Sequence, residues 1–121
     1  MDNKVQTILD TARKDLVLYG VATLQLIAHA LRLKGEDVDE DSVSIELDLV
    51  GSAVIKVNTS NTYTMEYDYE DRNVETAGLE KGELYFEDEY GSTYKPNELT
   101  LEELGSVVSM IKEYYTDIIC K

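Results

Sequence analysis

Residues 43–49 read Val43-Ser44-Ile45-Glu46-Leu47-Asp48-Leu49, an unbroken alternation of apolar and polar side chains. Successive side chains of a strand point to opposite faces, so the stretch predicts a β-strand with one buried and one wet face. A second run, 53–58, sets Ile55 and Val57 on one side and Val54 and Lys56 on the other. A three-residue loop at 51–53 would pair Leu49 with Ile55 and Leu47 with Val57, with Asp48 opposite Lys56 on the wet face, whereas a two-residue turn at Gly51-Ser52 would mix the faces. A third run, 62–70, places Tyr63, Met65, Tyr67 and Tyr69 on one face and Thr62, Thr64, Glu66, Asp68 and Glu70 on the other. With a loop at Thr59-Ser60-Asn61, Val57 would meet Tyr63 and Ile55 would meet Met65. The expectation is a three-stranded antiparallel meander.

Beyond the meander, residues 71–82 show no clear period and hold Gly78 and Gly82, which reads as a loop. Residues 83–87, with Leu84, Tyr85 and Phe86, predict a fourth strand, 88–92 an acidic turn and 93–95 a short fifth strand before Pro96. Thr100-Leu101-Glu102-Glu103 has the form of a capping box. Leu104, Val108, Ile111, Tyr115 and Ile118 then supply the apolar stripe of a closing helix.

Before the meander, Val5, Ile8, Leu9, Ala12, Leu16, Tyr19, Leu26, Ile27 and Ala30 follow helical spacing and predict one helix over about 3–34, stopped by Gly35. From Leu16 to Leu31 that helix carries no charge. An apolar helix of all faces must be covered on more than one side. At ~1.5 Å per residue the uncharged part spans roughly 24 Å, short of the ~30 Å hydrocarbon core, which argues for burial in protein over a membrane. A sheet and the closing helix can cover two faces; a third asks for a second copy, so a homodimer through Leu24, Ile27 and Leu31 is expected. The order of elements predicts an α+β fold: a long N-terminal helix, an antiparallel meander of four to five strands and a C-terminal helix on one face of the sheet, as one domain over 1–121.

The chain has 25 Asp and Glu against 11 Lys and Arg, a net charge of -14. Residues 1–35 hold three acids and five bases, whereas 36–103 hold twenty acids and four bases. Such a field repels phosphate backbones and anionic headgroups, so neither nucleic acid nor a membrane is expected as a direct partner. Cys120 is the sole cysteine, which excludes an intramolecular disulfide and a cysteine metal cluster and suits a cytoplasmic protein. The polar start Met1-Asp2-Asn3-Lys4 lacks the pattern of a targeting segment.

Catalytic and metal motifs are weak, and neither an enzyme nor a cofactor is expected. Asp37, Asp39 and Asp41 match the start of a calcium loop, but Ser42 stands where the turn needs Gly and Asp48 where a bidentate Glu belongs. A solvated acidic loop is the better reading. His29 is the only histidine, lacks further ligands or an orienting carboxylate in its pattern, and reads as a buried structural residue. The sharper feature is the run of six tyrosines between 63 and 94, interleaved with acids. Tyr63, Tyr67 and Tyr69 read as facing the helices, with their hydroxyls at the rim. The others, with their neighbours, form a candidate partner-binding set for a basic protein: Glu66, Asp68 and Glu70 with Tyr85, Glu87, Asp88, Glu89, Tyr90 and Tyr94.

Three functions fit. The first is a non-enzymatic interaction module binding a basic protein surface. The second is a nucleic-acid-mimic inhibitor of the kind viruses and mobile elements carry: Glu66, Asp68 and Glu70 follow one another at ~6.6 Å along a strand, close to a phosphate repeat. The third rests on a resemblance. An opening helix, a meander entered through Asp39-Glu40-Asp41-Ser42-Val43, and a closing helix resemble type III secretion chaperones, which implies a small acidic α+β dimer. Those proteins also carry a helix between strands, for which 71–82 is short and Gly-rich.

Overall fold

Helix α1 runs Asn3–Leu33 and ends as its composition dictates. Gly35 takes φ +96° and donates its N–H to the Arg32 carbonyl at 3.0 Å, while Glu36 N–H reaches the Leu31 carbonyl at 3.1 Å. This pair of bonds satisfies carbonyls that a helix end otherwise leaves open. The structure, a computed structural model, describes residues 3–60 and 67–120, with side chains described for 3–57 and 71–120. Only one face of α1 enters the core, through Gly20, Leu24, Ile27 and Ala28. At Gly20 an added Cβ would lie 3.2 Å from Leu84 Cδ2, so the missing side chain lets the helix close on the sheet. His29 falls outside this face. Its side chain is 59% exposed, with Nδ1 3.7 Å from Glu40 Oε1, which corrects the expectation of a buried histidine: an apolar sequence on every face did not mean burial on every face.

The sheet has five strands: β1 (Ser44–Glu46), β2 (Ala53–Ser60), β3 (Tyr67–Glu80), β4 (Glu83–Asp88) and β5 (Thr93–Tyr94). All pairings are antiparallel. The expected hairpin between the first two runs does not form. Both pair with the same edge of β3 instead, Ser44 with Gly78 and Ala53 with Val74. Nine steps along the first chain segment thus match four along β3. A 3₁₀ turn at Leu47–Leu49 and Gly51 at φ +114° take up the surplus. Leu47 stays in the core, but Leu49 is 59% exposed and Ala53, expected in a loop, is buried. The pairs Leu49–Ile55, Leu47–Val57 and Asp48–Lys56 are therefore not made.

The second correction concerns 71–80, expected as a loop and folded as the better half of β3. A register shift between Val74 and Thr76 breaks the alternation, so Val74, Ala77 and Leu79 are buried at uneven spacing. The strand leaves no helix at the place where secretion chaperones carry one. The β2–β3 register follows from this longer strand: Val57 faces Glu70 and Ile55 faces Arg72, in place of Tyr63 and Met65, which lie outside the described residues. Lys81 and Gly82, at φ 53° and 82°, close the tight turn into β4.

Leu84 and Phe86 point from β4 into the core, where α1 and α2 (Leu101–Tyr114) lie side by side on one face of the sheet. Leu104, Val107, Val108 and Ile111 bury the inner stripe of α2. Its start is the expected box. Thr100 Oγ1 accepts from Glu103 N–H at 3.1 Å, and Glu103 Oε1 accepts from Thr100 N–H at 2.7 Å. Thr100→Ala leaves one of these amides unpaired and lowers stability by about 1 kcal/mol, read as a melting-temperature loss of a few degrees. A π turn at Tyr115–Ile119 continues the helix, and Lys34 Nζ donates to its Ile119 carbonyl at 3.2 Å, joining the ends of both helices.

Candidate functional site

The expected partner-binding set falls on two sides of the sheet. Strand alternation carries on one residue past Glu87, so Asp88 lands on the inward phase and is 4% exposed. Its Oδ1 accepts the N–H groups of Tyr90 and Ser92, both at 2.9 Å. Its Oδ2 accepts the Tyr94 hydroxyl at 2.9 Å and Arg72 Nη1 at 3.2 Å. Burial pushes the Asp88 carboxyl up, but the bonds from Tyr94, Ser92, Tyr90 and Arg72 outweigh it and hold the group below its ordinary value. The Tyr94 hydroxyl moves the other way, raised by burial and by its bond to the carboxylate. Asp88 is thus an organiser of the β4–β5 turn with no free oxygen to offer a partner, which corrects its expected role as a contact residue, whereas Tyr94 bonds it from a half-buried position. Glu89 and Tyr90 remain on the surface of this turn, where the Arg72 guanidinium lies 5.3 Å from the Tyr90 ring centre.

Tyr85 and Glu87 belong to the opposite, outer face. Tyr85 lies across Gly78, where an added Cβ would come within 2.7 Å of its hydroxyl oxygen. Only glycine leaves that path open, and Ser44, Gly78 and Tyr85 share one cross-strand row. The cross-strand rows put Glu46, Thr76 and Glu87 in line on one side of this ring and Glu80 beside Glu83 on the other. Burial first, then the charges of Glu87 and Glu80, push the Tyr85 hydroxyl up, against a smaller pull down from Ser44. Lys81 and Lys95 border the patch, sharing a hollow of 240 Å³ with Glu80, Glu83 and Tyr85.

Glu46, Glu80 and Glu83 were missed in the sequence. Glu46 was legible as the polar phase of 43–49, and Glu83 shares its phase with Tyr85 and Glu87; Glu80 was hidden in the stretch taken for a loop. Of the expected acidic series, Glu66 lies outside the described residues, and Asp68 and Glu70 are placed by register alone, opposite Thr59 and Val57.

On the helix side, Leu24 and Ile27 are fully buried in the chain's own core and Leu31 is half-buried against it. These residues hold the helix to its own sheet. The apolar surface of α1 is a different set, which includes Ile8, Leu18 and Leu26. Two open grooves flank the helix, one of 630 Å³ against α2 and one of 780 Å³ against the β3–β4 turn and Pro96. Arg13 bridges near the second, donating to the Pro96 and Leu99 carbonyls at 2.6 and 2.7 Å.

In the acidic loop, Asp39 Oδ1 accepts Asp41 N–H at 2.9 Å, a bond that shapes the turn. Among the described residues no three His, Cys, Asp or Glu side chains converge as metal ligands do. No protein-family model, no curated protein and no solved structure matches the chain.

Proposed function

We propose that the chain is a non-enzymatic interaction module that binds a basic protein surface on the outer face of its sheet. The observation that carries this reading is the half-buried Tyr85 between Glu46 and Glu87 on one side and Glu80 and Glu83 on the other, on the sheet face that α1 and α2 leave open. Tyrosine gives broad contact area for little lost freedom and an electron-rich ring for Arg or Lys. The surrounding carboxylates steer a cationic surface and reject anionic ones. The ring already lies packed across Gly78 before binding, so that ordering it costs little when a partner arrives.

Glu46→Lys/Glu87→Lys reverses two charges on exposed or half-exposed positions and leaves the core untouched. In capture from the native host, the wild type is expected to retain Lys- and Arg-rich proteins at low salt and release them at high salt, and the double variant to lose them at both. Equal retention by the variant, or a captured set indifferent to salt, overturns the reading.

A further inference from the structure

On α1 the residues spaced by seven, Val5, Ala12, Tyr19, Leu26 and Leu33, run down the side turned away from the core, with Ile8 beside them. A heptad spacing drifts only ~20° per repeat on a straight helix, so the five form one seam. Apart from Ala12, which is half-buried, these side chains are between 46% and 76% exposed. We propose that this seam is covered by the same seam of a second copy, with the two α1 helices antiparallel and crossing at Tyr19.

Area, charge and shape favour a second copy. The large seam side chains, each about half exposed, present roughly 500 Å². The small residues between them and the adjoining 630 Å³ groove, lined by Ala12, Leu16, Tyr19 and Gly105 with Asp15 and Lys112 also at its walls, bring the coverable surface toward the ~800 Å² per partner of a stable dimer. Residues 3–33 hold two acids and four bases in a chain of net charge -14, so α1 is where two copies meet without opposing their acidic faces. The seam is also its own complement. An antiparallel crossing on Tyr19 sets Ala12 against Leu26 and Ile8 against Ala30, each a small residue facing a large one, and Val5 against Leu33 at the ends. A parallel pairing would stack Asp15 on Asp15 and Ala12 on Ala12. Lipid is the rival occupant, since α1 is long and apolar enough to cross a membrane. Its inner face, however, holds Leu24 and Ile27 in the chain's own core, and insertion would strip them from it.

The experiment uses the full chain with Cys120→Ser, because that thiol is exposed and would cross-link by itself. Light scattering at micromolar concentration is expected to give twice the 13.7 kDa chain mass. Leu26→Glu, and separately Tyr19→Lys, are expected to halve that mass with unchanged circular dichroism. Oxidising a mixture of Val5→Cys and Leu33→Cys chains is expected to yield mainly the mixed cross-link. A 13.7 kDa wild type, a dimer that survives both seam variants, or a cross-link dominated by Val5→Cys with itself overturns the proposal. So does flotation of the wild type with phosphatidylcholine vesicles as a monomer. The outer-face variant Glu46→Lys/Glu87→Lys is expected to stay dimeric, which separates this interface from the one proposed for a basic partner.

Discussion

Asp88→Ala is expected to lower the unfolding free energy by about 3–5 kcal/mol, because it removes a buried carboxylate on which four donors converge and leaves two turn amides and the Tyr94 hydroxyl without their acceptor. For a chain of 121 residues this corresponds to a fall on the order of 15 °C in melting temperature. The size follows from where the carboxylate sits: four donors converge on its two oxygens, and the side chain of Asp88 has no exposed surface. Asp88→Asn keeps one acceptor oxygen and is expected to cost about half as much. The same group sets an acid limit. Its carboxyl is held below the ordinary value in the folded chain, so the unfolded chain binds the proton first as pH falls. The stabilisation is complete above the unfolded carboxyl value of about 4 and is lost as pH drops through the lower folded value. Denaturant titrations of wild type and Asp88→Asn should converge in that acid range and diverge above it. Curves that stay parallel down to the acid limit would sink the assignment.

Phe86→Ala is expected to cost about 3–5 kcal/mol, as its ring is fully buried in the core and its removal opens a cavity there. Its neighbour Tyr85 points to the other face, and Tyr85→Ala is expected to cost under about 1.5 kcal/mol while abolishing retention of the basic partner. Paired melts and capture assays of the two variants check the contrast. Similar stability losses at 85 and 86 would mean that the outer ring is a second core residue and no contact at all.

These two positions also show what the sequence could and could not reveal. Where periodicity was intact it gave the element: β4 around Leu84, Tyr85 and Phe86, the closing helix with Leu104, Val108 and Ile111 on its inner stripe, the length of α1, and the capping box at Thr100. Where the backbone departs from a regular repeat, the pattern misled. One irregularity between Val74 and Thr76 was enough to disguise a central strand as a loop. Conversely, the clean alternation at 43–49 described a strand that stops after Glu46, because burial of Ala53 and Ile55 along β3 wins over continued extension through Leu49. The candidate site suffered at one point for a simpler reason. A run of acids such as Glu87-Asp88-Glu89 looks uniform in composition, yet alternation sends the middle one to the interior, where its charge has a fixed partner.

The broken edge formed by β1 and β2 bears on how another protein can engage the sheet. Sheet edges are open templates for a further strand, and a common mode of peptide capture adds one. Along this edge an incoming backbone would find three residues of β1, then a helical turn, then Lys56, whose N–H is already taken by Glu103 Oε2 at 2.8 Å. Main-chain pairing, which is indifferent to side-chain identity, is therefore obstructed there. A partner of the kind proposed would then be met on the sheet face, where binding depends on which charges it presents and not on the run of its backbone.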